Sequence, residues 1–310
     1  MLTLGIDTSN YATSLAVYDS AGEVVCDIKR FLPVKPGQLG LRQSDALFHH
    51  TAALPQLLHE MASQCDLSQI AAVGVSEKPR PAQGSYMPCF LAGVNAASAI
   101  AEVHRVPLVR TTHQQGHAAA ALYAAGQPAY FEQSVLLFHI SGGTTDLLLC
   151  SRVKEIELLG TSSDLYAGQA VDRIGVKLGF GFPAGAEVSR LAAACSEEIR
   201  PKTSVRGLSC SLSGLENQCS ALLAAGRSPE YVCKYCLLCI AHTVVKMTRA
   251  ALAEHPGLPV VCAGGVMSST VIRDYVTARL PQVRFVPGKF SSDNAIGVAL
   301  LAAREVQAHG

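Results

Sequence analysis

His113 and His117 form an i, i+4 pair, the spacing in this sequence best suited to chemistry. On a helix such a pair shares one face, with Cβ atoms about 5–6 Å apart, close enough to hold one cation. Gln114 follows His113, so the glutamate base of the His-Glu-x-x-His metalloproteases is missing and that hydrolytic route is excluded. Two histidines at this spacing are also compatible with a solvated or core-satisfied pair. The positions of two further groups weigh against that bland reading. His139 stands two residues before a Gly-rich turn, and Asp293 begins the last helical stretch, where its ordinary role is an N-cap. Three imidazoles and a carboxylate make a nitrogen and oxygen set suited to Fe2+ or Zn2+.

Three turns offer unpaired N–H groups and short hydroxyls of the kind that suit phosphate oxygens. They are Thr8-Ser9-Asn10, Ser141-Gly142-Gly143-Thr144-Thr145 and Gly264-Gly265-Val266. Asp7, ending the first apolar stretch, is placed to hold a metal-bound water, and Asp7 and Ser9 are the candidate catalytic groups. Each turn alone is only a turn. As an ordered set, they resemble the architecture of actin, sugar kinases and heat-shock chaperone ATPases, in which ATP sits between two RNase H-like domains.

The elements that must position these residues follow the same plan. Leu2–Asp7, Thr13–Tyr18 and Glu23–Arg30 read as strands, followed by a helix over Leu47–Met61 that Pro55 should start or kink. Ala71–Ser76 is a short buried strand and Phe90–Val103 an Ala-rich helix. A second pass opens with strands at Val135–Ile140, Asp146–Cys150 and Lys154–Leu159. It continues through helices at Ala186–Cys195 and Pro229–His255, a strand at Val260–Ala263, and helices at Thr270–Leu280 and Asn294–Gln307. The β-turn-β opening thus occurs twice. The expected domains are residues 1–130 with 290–310, an RNase H-like lobe with a returning C-terminal helix, and residues 131–289, a second such lobe.

Composition supports an α/β chain of about two domains of roughly 150 residues. Of 310 residues, 49% are hydrophobic and 16% charged, which excludes a disordered chain. A net charge of +1, from 25 basic and 24 acidic residues, excludes a polycation that holds nucleic acid by bulk charge. The 11 cysteines, an odd count, fit reduced thiols rather than a disulfide framework. Cys233, Cys236 and Cys239 fall on one helical stripe and read as apolar packing. His49 and His50 read as surface or interdomain contacts. No apolar run reaches the length of a membrane span, and Asp7 interrupts the apolar core a signal peptide needs, so a cytoplasmic protein is expected.

Over nearly its whole length the chain resembles the universal tRNA threonylcarbamoyltransferase family, once called glycoproteases. Gly5-Ile-Asp7-Thr8-Ser9, His113-Gln-Gln-Gly116-His117 and Ser141-Gly-Gly-Thr-Thr145 match its motifs. Asp164-Leu-Tyr-Ala-Gly168-Gln-Ala-Val-Asp172-Arg, Gly179-Phe-Gly-Phe-Pro183-Ala-Gly185, Ser211-Leu-Ser213-Gly-Leu215, Gly264-Gly265-Val266 and Ser292-Asp293-Asn294-Ala295 follow in the family's order. The resemblance implies that His113, His117 and Asp293 are metal ligands, and that His139 stands where some relatives carry a tyrosine ligand. It also implies that His139, Ile140, Ser141, Gly142, Gly143 and Thr144, with Asp172, Gly185, Gly264 and Gly265, bind a nucleotide. Ser269 occupies the place of a nucleotide-contacting asparagine.

The implied reaction is attack by the exocyclic amine of the adenosine beside a tRNA anticodon on threonylcarbamoyl-adenylate, with release of AMP. The implied cofactors are one divalent metal ion and ATP, AMP or an acyl-adenylate. Partner proteins would help with tRNA, and a homodimer or heterodimer is compatible with the resemblance. Departures cluster on the substrate side. The family's Cys-Asp-Glu is Asn10-Tyr11-Ala12, its Gly-Pro-Gly loop is Lys78-Pro79-Arg80-Pro81, and a lysine becomes Glu216. A divergent paralog is therefore expected, with two alternatives: carbamoyl-type transfer to another acceptor, or an inactive nucleotide-binding partner protein. Lys29, Arg30, Lys35, Lys78 and Arg80 read as a solvated surface, since no aromatic residues interleave for base stacking.

Overall fold

The computed structural model describes residues 1–9, 12–33, 41–153, 155–290 and 295–309. The chain divides into two compact units, Met1–Tyr123 with Asp293–Gly310, and Ala124–Ser292.

The first unit contains β1 (Leu2–Ser9), β2 (Ala12–Asp19), β3 (Glu23–Phe31), α1 (Gln43–Ala62), β4 (Ile70–Lys78), α2 (Phe90–His104), β5 (Leu108–Thr112) and α3 (His113–Ala124). Its sheet runs β3-β2-β1-β4-β5. The first three strands are antiparallel, and β1, β4 and β5 are parallel. Central β1 is buried along almost its full length, whereas edge strand β3 alternates exposed and buried residues. That contrast is expected for strands covered on two faces and on one.

The second unit contains β6 (Ser134–Ile140), β7 (Thr145–Ser151), β8 (Glu155–Thr161), α4 (Ala167–Lys177), α5 (Gly185–Ala194), β9 (Ser204–Arg206), β10 (Ser209–Ser211), α6 (Ser213–Ala224), α7 (Pro229–Glu254), β11 (Val260–Ala263), α8 (Thr270–Thr277) and β12 (Arg284–Phe285). Its sheet, β8-β7-β6-β11-β12, has the same order and the same strand senses as the first. The duplication faint in the residues is complete in the topology: the fold is two RNase H-like sheets of the actin and sugar-kinase type. The last helix, α9 (Ile296–His309), packs on β1 and β4 of the first unit.

Two expectations need correction. Helix α1 does not start at Pro55 but runs 20 residues through it. Proline inside a helix costs about 3 kcal/mol. Burial of Leu54, Leu57 and Met61 against β2 and β3 offsets this at about 1.5–3 kcal/mol each. Second, among the described residues α7 is a helix long and apolar enough to cross a membrane, and 67% of that stretch is buried. Cys233, Cys236 and Cys239 lie inside it, each at most 1% exposed, as packing side chains of the second core.

Candidate functional site

The carboxyl ends of three adjacent parallel strands bring a polar cluster together in the first unit. This is where open α/β sheets place their ligands. Asp7 lies near the end of β1, Ser76 near the end of β4, and His113 follows β5. Asp7 is 2% exposed. Its Oδ1 accepts from Ser76 Oγ at 2.6 Å, and its Oδ2 accepts from Ser9 Oγ at 3.3 Å. Asp7 Oδ2 also lies 2.7 Å from His113 Nδ1. A carboxylate only accepts, so Nδ1 carries the proton and His113 Nε2 keeps its lone pair in the neutral ring. That nitrogen faces His117 Nε2 at 2.9 Å, with the two rings nearly perpendicular at 80°.

The local sequence explains why α3 begins where it does. Thr112 and Gln115 cap each other: Gln115 N–H donates to Thr112 Oγ1 at 3.2 Å and Thr112 N–H to Gln115 Oε1 at 2.9 Å. This capping box makes His113 the first helical residue and sets His117 one turn on. Gly116, between them, lies at a close helix crossing. A Cβ on Gly297 of α9 would collide with the Gly116 carbonyl, and one on Gly116 would meet Val298 Cγ2 at 2.9 Å. The expected His113 and His117 pair is therefore brought together, held from behind by Asp7 and locked beneath by α9.

These two imidazoles fit a metal ion. Two nitrogens about 2.1 Å from one cation stand about 3.0 Å apart at a right angle and about 3.4 Å apart at a tetrahedral angle. The observed 2.9 Å requires an opening of only tenths of an ångström. The carboxylate behind His113 is the partner that metal-bound histidines ordinarily have. Among the described residues no group of three His, Cys, Asp or Glu side chains converges as a ligand set. Asp293 lies outside the described residues, as do Asn10, Tyr11 and Lys35. His139 belongs to the second unit, on β6 opposite Asp146 of β7 and beside Ala263 of β11.

In the second unit the Gly-rich turn joins β6 to β7. Ile140 is buried. Ser141 N–H donates to the Thr144 carbonyl at 2.9 Å, and the two hydroxyls meet at 2.9 Å. Gly142 and Gly143 are exposed, with nothing within 4 Å of where a Cβ would stand. Thr145 Oγ1 accepts from Ala167 N–H at 2.8 Å and the Ser141 carbonyl accepts from Gly168 N–H at 3.2 Å, which ties the turn to the start of α4.

Asp172 and Gly185 lie together at the start of α5. The Asp172 carboxylate accepts from Ala184 N–H at 2.8 Å at the start of α5, and burial holds its pKa above the ordinary carboxylate value. Gly264, at φ +103°, lies against the Ile140 backbone where any Cβ would collide, whereas Gly265 is open. Ser269, the N-cap residue of α8, is 6% exposed, and its hydroxyl has no partner among the described residues. A buried hydroxyl left without a partner is uncommon in folded proteins.

Several contributions are invisible to motif reading. Ser76 carries no motif; its only sequence signal is a polar residue at the end of a buried strand. His50 is fully buried rather than at a surface, with Nδ1 2.8 Å from Thr13 Oγ1 and Nε2 without a partner among the described residues. Burial lowers its pKa to about 4. The substituted loop reaches α3, where the Pro79 carbonyl accepts from Gln114 N–H at 3.0 Å. Glu216, the reversed charge, accepts from Arg173 at 2.9 Å and Lys177 at 2.8 Å, both on α4.

The family model of tRNA N6-adenosine threonylcarbamoyltransferase matches residues 20–300. A curated protein of that name from Streptococcus pneumoniae (strain JJA) is 26% identical over 97% of this chain and 91% of its own. Among solved structures, full-length HypF in its phosphate- and nucleotide-bound form is similar at a TM-score of 0.65 and 12% identity, over 99% of this chain and 56% of its own. A ROK family glucokinase from Streptomyces griseus, in complex with glucose and AMPPNP, is similar at a TM-score of 0.54 and 13% identity, over 98% and 100%. At these identities the solved structures establish the fold alone.

Proposed function

The chain belongs to the tRNA N6-adenosine threonylcarbamoyltransferase family, and on that premise we propose that it is a metal- and nucleotide-binding transferase that moves a threonylcarbamoyl group from its adenylate to a tRNA adenosine. The observation that carries this reading is the chain Ser76–Asp7–His113–His117 at the carboxyl ends of β1, β4 and β5. His113 and His117, with Asp293, would hold one divalent ion, Fe2+ or Zn2+. His139 enters the set only through the family resemblance. When bound, the ion supplies Lewis-acid polarisation of a carbonyl or phosphoryl oxygen.

The remaining work falls to the chain's own groups. Asp7 keeps His113 in the Nδ1–H tautomer, while Ser76 and Ser9 hold Asp7 in place. The open Gly142-Gly143 turn admits the adenylate phosphate, and the unpartnered Ser269 hydroxyl supports the nucleoside side, as do Asp172 and Gly185 at α5. The acceptor amine attacks the carbamoyl carbon, AMP leaves with the bonding electrons, and the amine's proton is lost to solvent.

A second reading, a nucleotide-binding partner protein or a transferase for another acceptor, is favoured by Ala12. Where the family carries an acidic residue, this side chain is small, apolar and fully buried. Threonylcarbamoyl transfer to tRNA, assayed with and without the family's partner proteins, separates the two. Turnover supports the first reading, and nucleotide binding without turnover supports the second.

A further inference from the structure

Some cations pair with an acid, as Arg30 does with Glu60, Arg110 with Glu77, Arg190 with Glu187 and Arg227 with Glu197. On the second unit, three cations outside such pairs are gathered on one surface. His242, Lys246 and Arg249 follow at i, i+4 and i+7 on α7 and so share one helical face. Helix α8 packs beside it. The Tyr275 hydroxyl meets His242 Nδ1 at 2.9 Å. The Arg279 guanidinium lies 3.5 Å from the Tyr275 ring centroid, and its Nη1 donates to the Tyr275 carbonyl at 3.1 Å.

Lys246, Arg249 and Arg279 are exposed. None has an ion-pair partner among the described residues. The nearest acids in sequence are Glu254, five residues past Arg249, and Asp274, five before Arg279. Their mutual field also registers on His242, whose pKa is lowered by burial first and then by Lys246, Arg279 and Arg249.

We propose that this α7–α8 face is a contact surface for the phosphate backbone of an RNA stem, with Lys246, Arg249 and Arg279 as the phosphate-binding groups. The proposal rests on the reading of tRNA as acceptor and adds where its backbone is held. Three gathered cations without internal counter-charges suit a polyanion. Since Arg279 covers the Tyr275 ring, that ring is not a stacking platform for a base, and the contact is independent of sequence. None of the exposed large apolar side chains lies on α7 or α8, so the face lacks the apolar anchors of a membrane-binding helix.

The test uses the full chain and a labelled RNA hairpin of about 16 base pairs. Affinity is followed by fluorescence anisotropy between about 50 and about 200 mM KCl. Lys246→Glu/Arg249→Glu should bind at least about tenfold more weakly, with a salt slope smaller by about 2. The milder Lys246→Ala/Arg249→Ala should move both in the same direction, and Arg206→Glu should move neither. AMP affinity and the thermal melt of each variant report its folding.

Hairpin binding and salt slope equal to the parent's in both double variants overturn the proposal. So does binding of poly-glutamate that matches the hairpin's and is lost in the same variants, which assigns the face to an acidic protein. Transfer to tRNA by the parent, with hairpin binding indifferent to the variants, sinks the face and leaves the function. Face-dependent hairpin binding without any transfer does the reverse.

Discussion

Asp7 and His113, 106 residues apart in the chain, meet at 2.7 Å through Oδ2 and Nδ1. This contact dictates which nitrogen of His113 is available, and it turns that nitrogen toward His117. Replacing Asp7 with Asn should lower metal affinity about 10–100-fold, the usual effect of losing a carboxylate behind a ligating histidine. His113→Ala/His117→Ala should abolish binding. Elemental analysis after equilibration with Zn2+ measures both, and equal metal in the double variant and the parent would remove the site.

Gly143 has open space where a side chain would project. Gly143→Val should therefore leave the thermal midpoint close to the parent's, while a branched side chain beside the turn obstructs a phosphate. AMP affinity by calorimetric titration should fall by about tenfold or more, equivalent to about 1.4 kcal/mol. Unchanged affinity would detach the turn from the nucleotide.

The α3–α9 crossing leaves no room for a methyl group. Gly297→Ala should destabilise the protein by about 1–3 kcal/mol through overpacking against the Gly116 backbone, read as a lower urea midpoint at unchanged slope. It should also weaken metal binding, because α3 carries both histidines. A stability equal to the parent's would contradict the crossing.

His50 sets a pH dependence. Its pKa is about 4 in the folded protein against an ordinary value of 6.5. As pH falls, the unfolded chain takes the proton first. Its contribution is therefore complete above about pH 6.5 and is lost progressively toward pH 4, by about 3 kcal/mol in all. Urea midpoints measured across this range should slope less in His50→Leu than in the parent; parallel slopes would count against a neutral, buried His50.

Much of the fold was legible in the residues. The strand starts at Leu2, Thr13, Glu23 and Val135 and the helices at Phe90 and Pro229 follow from periodicity and turn chemistry, which act within a few residues. Helix α1 starts well before Pro55, because the local cost of proline is visible in sequence, whereas the burial that outweighs it is not. His50 was misplaced for the same reason: nothing adjacent tells an imidazole that Thr13 will cover it.

The sequence by itself determined the residue types and spacings: the His113 and His117 pair, the Gly-rich turns, and the β-turn-β opening that occurs twice. Only the tertiary structure decided that Asp7 and Ser76 stand behind His113, that Gly116 must be bare because α9 passes over it, and that Glu216 answers Arg173 and Lys177. Local propensities reach a turn or two along the chain. Contacts between the ends of parallel strands join segments tens of residues apart, through packing in which each partner is uninformative until the other is in place.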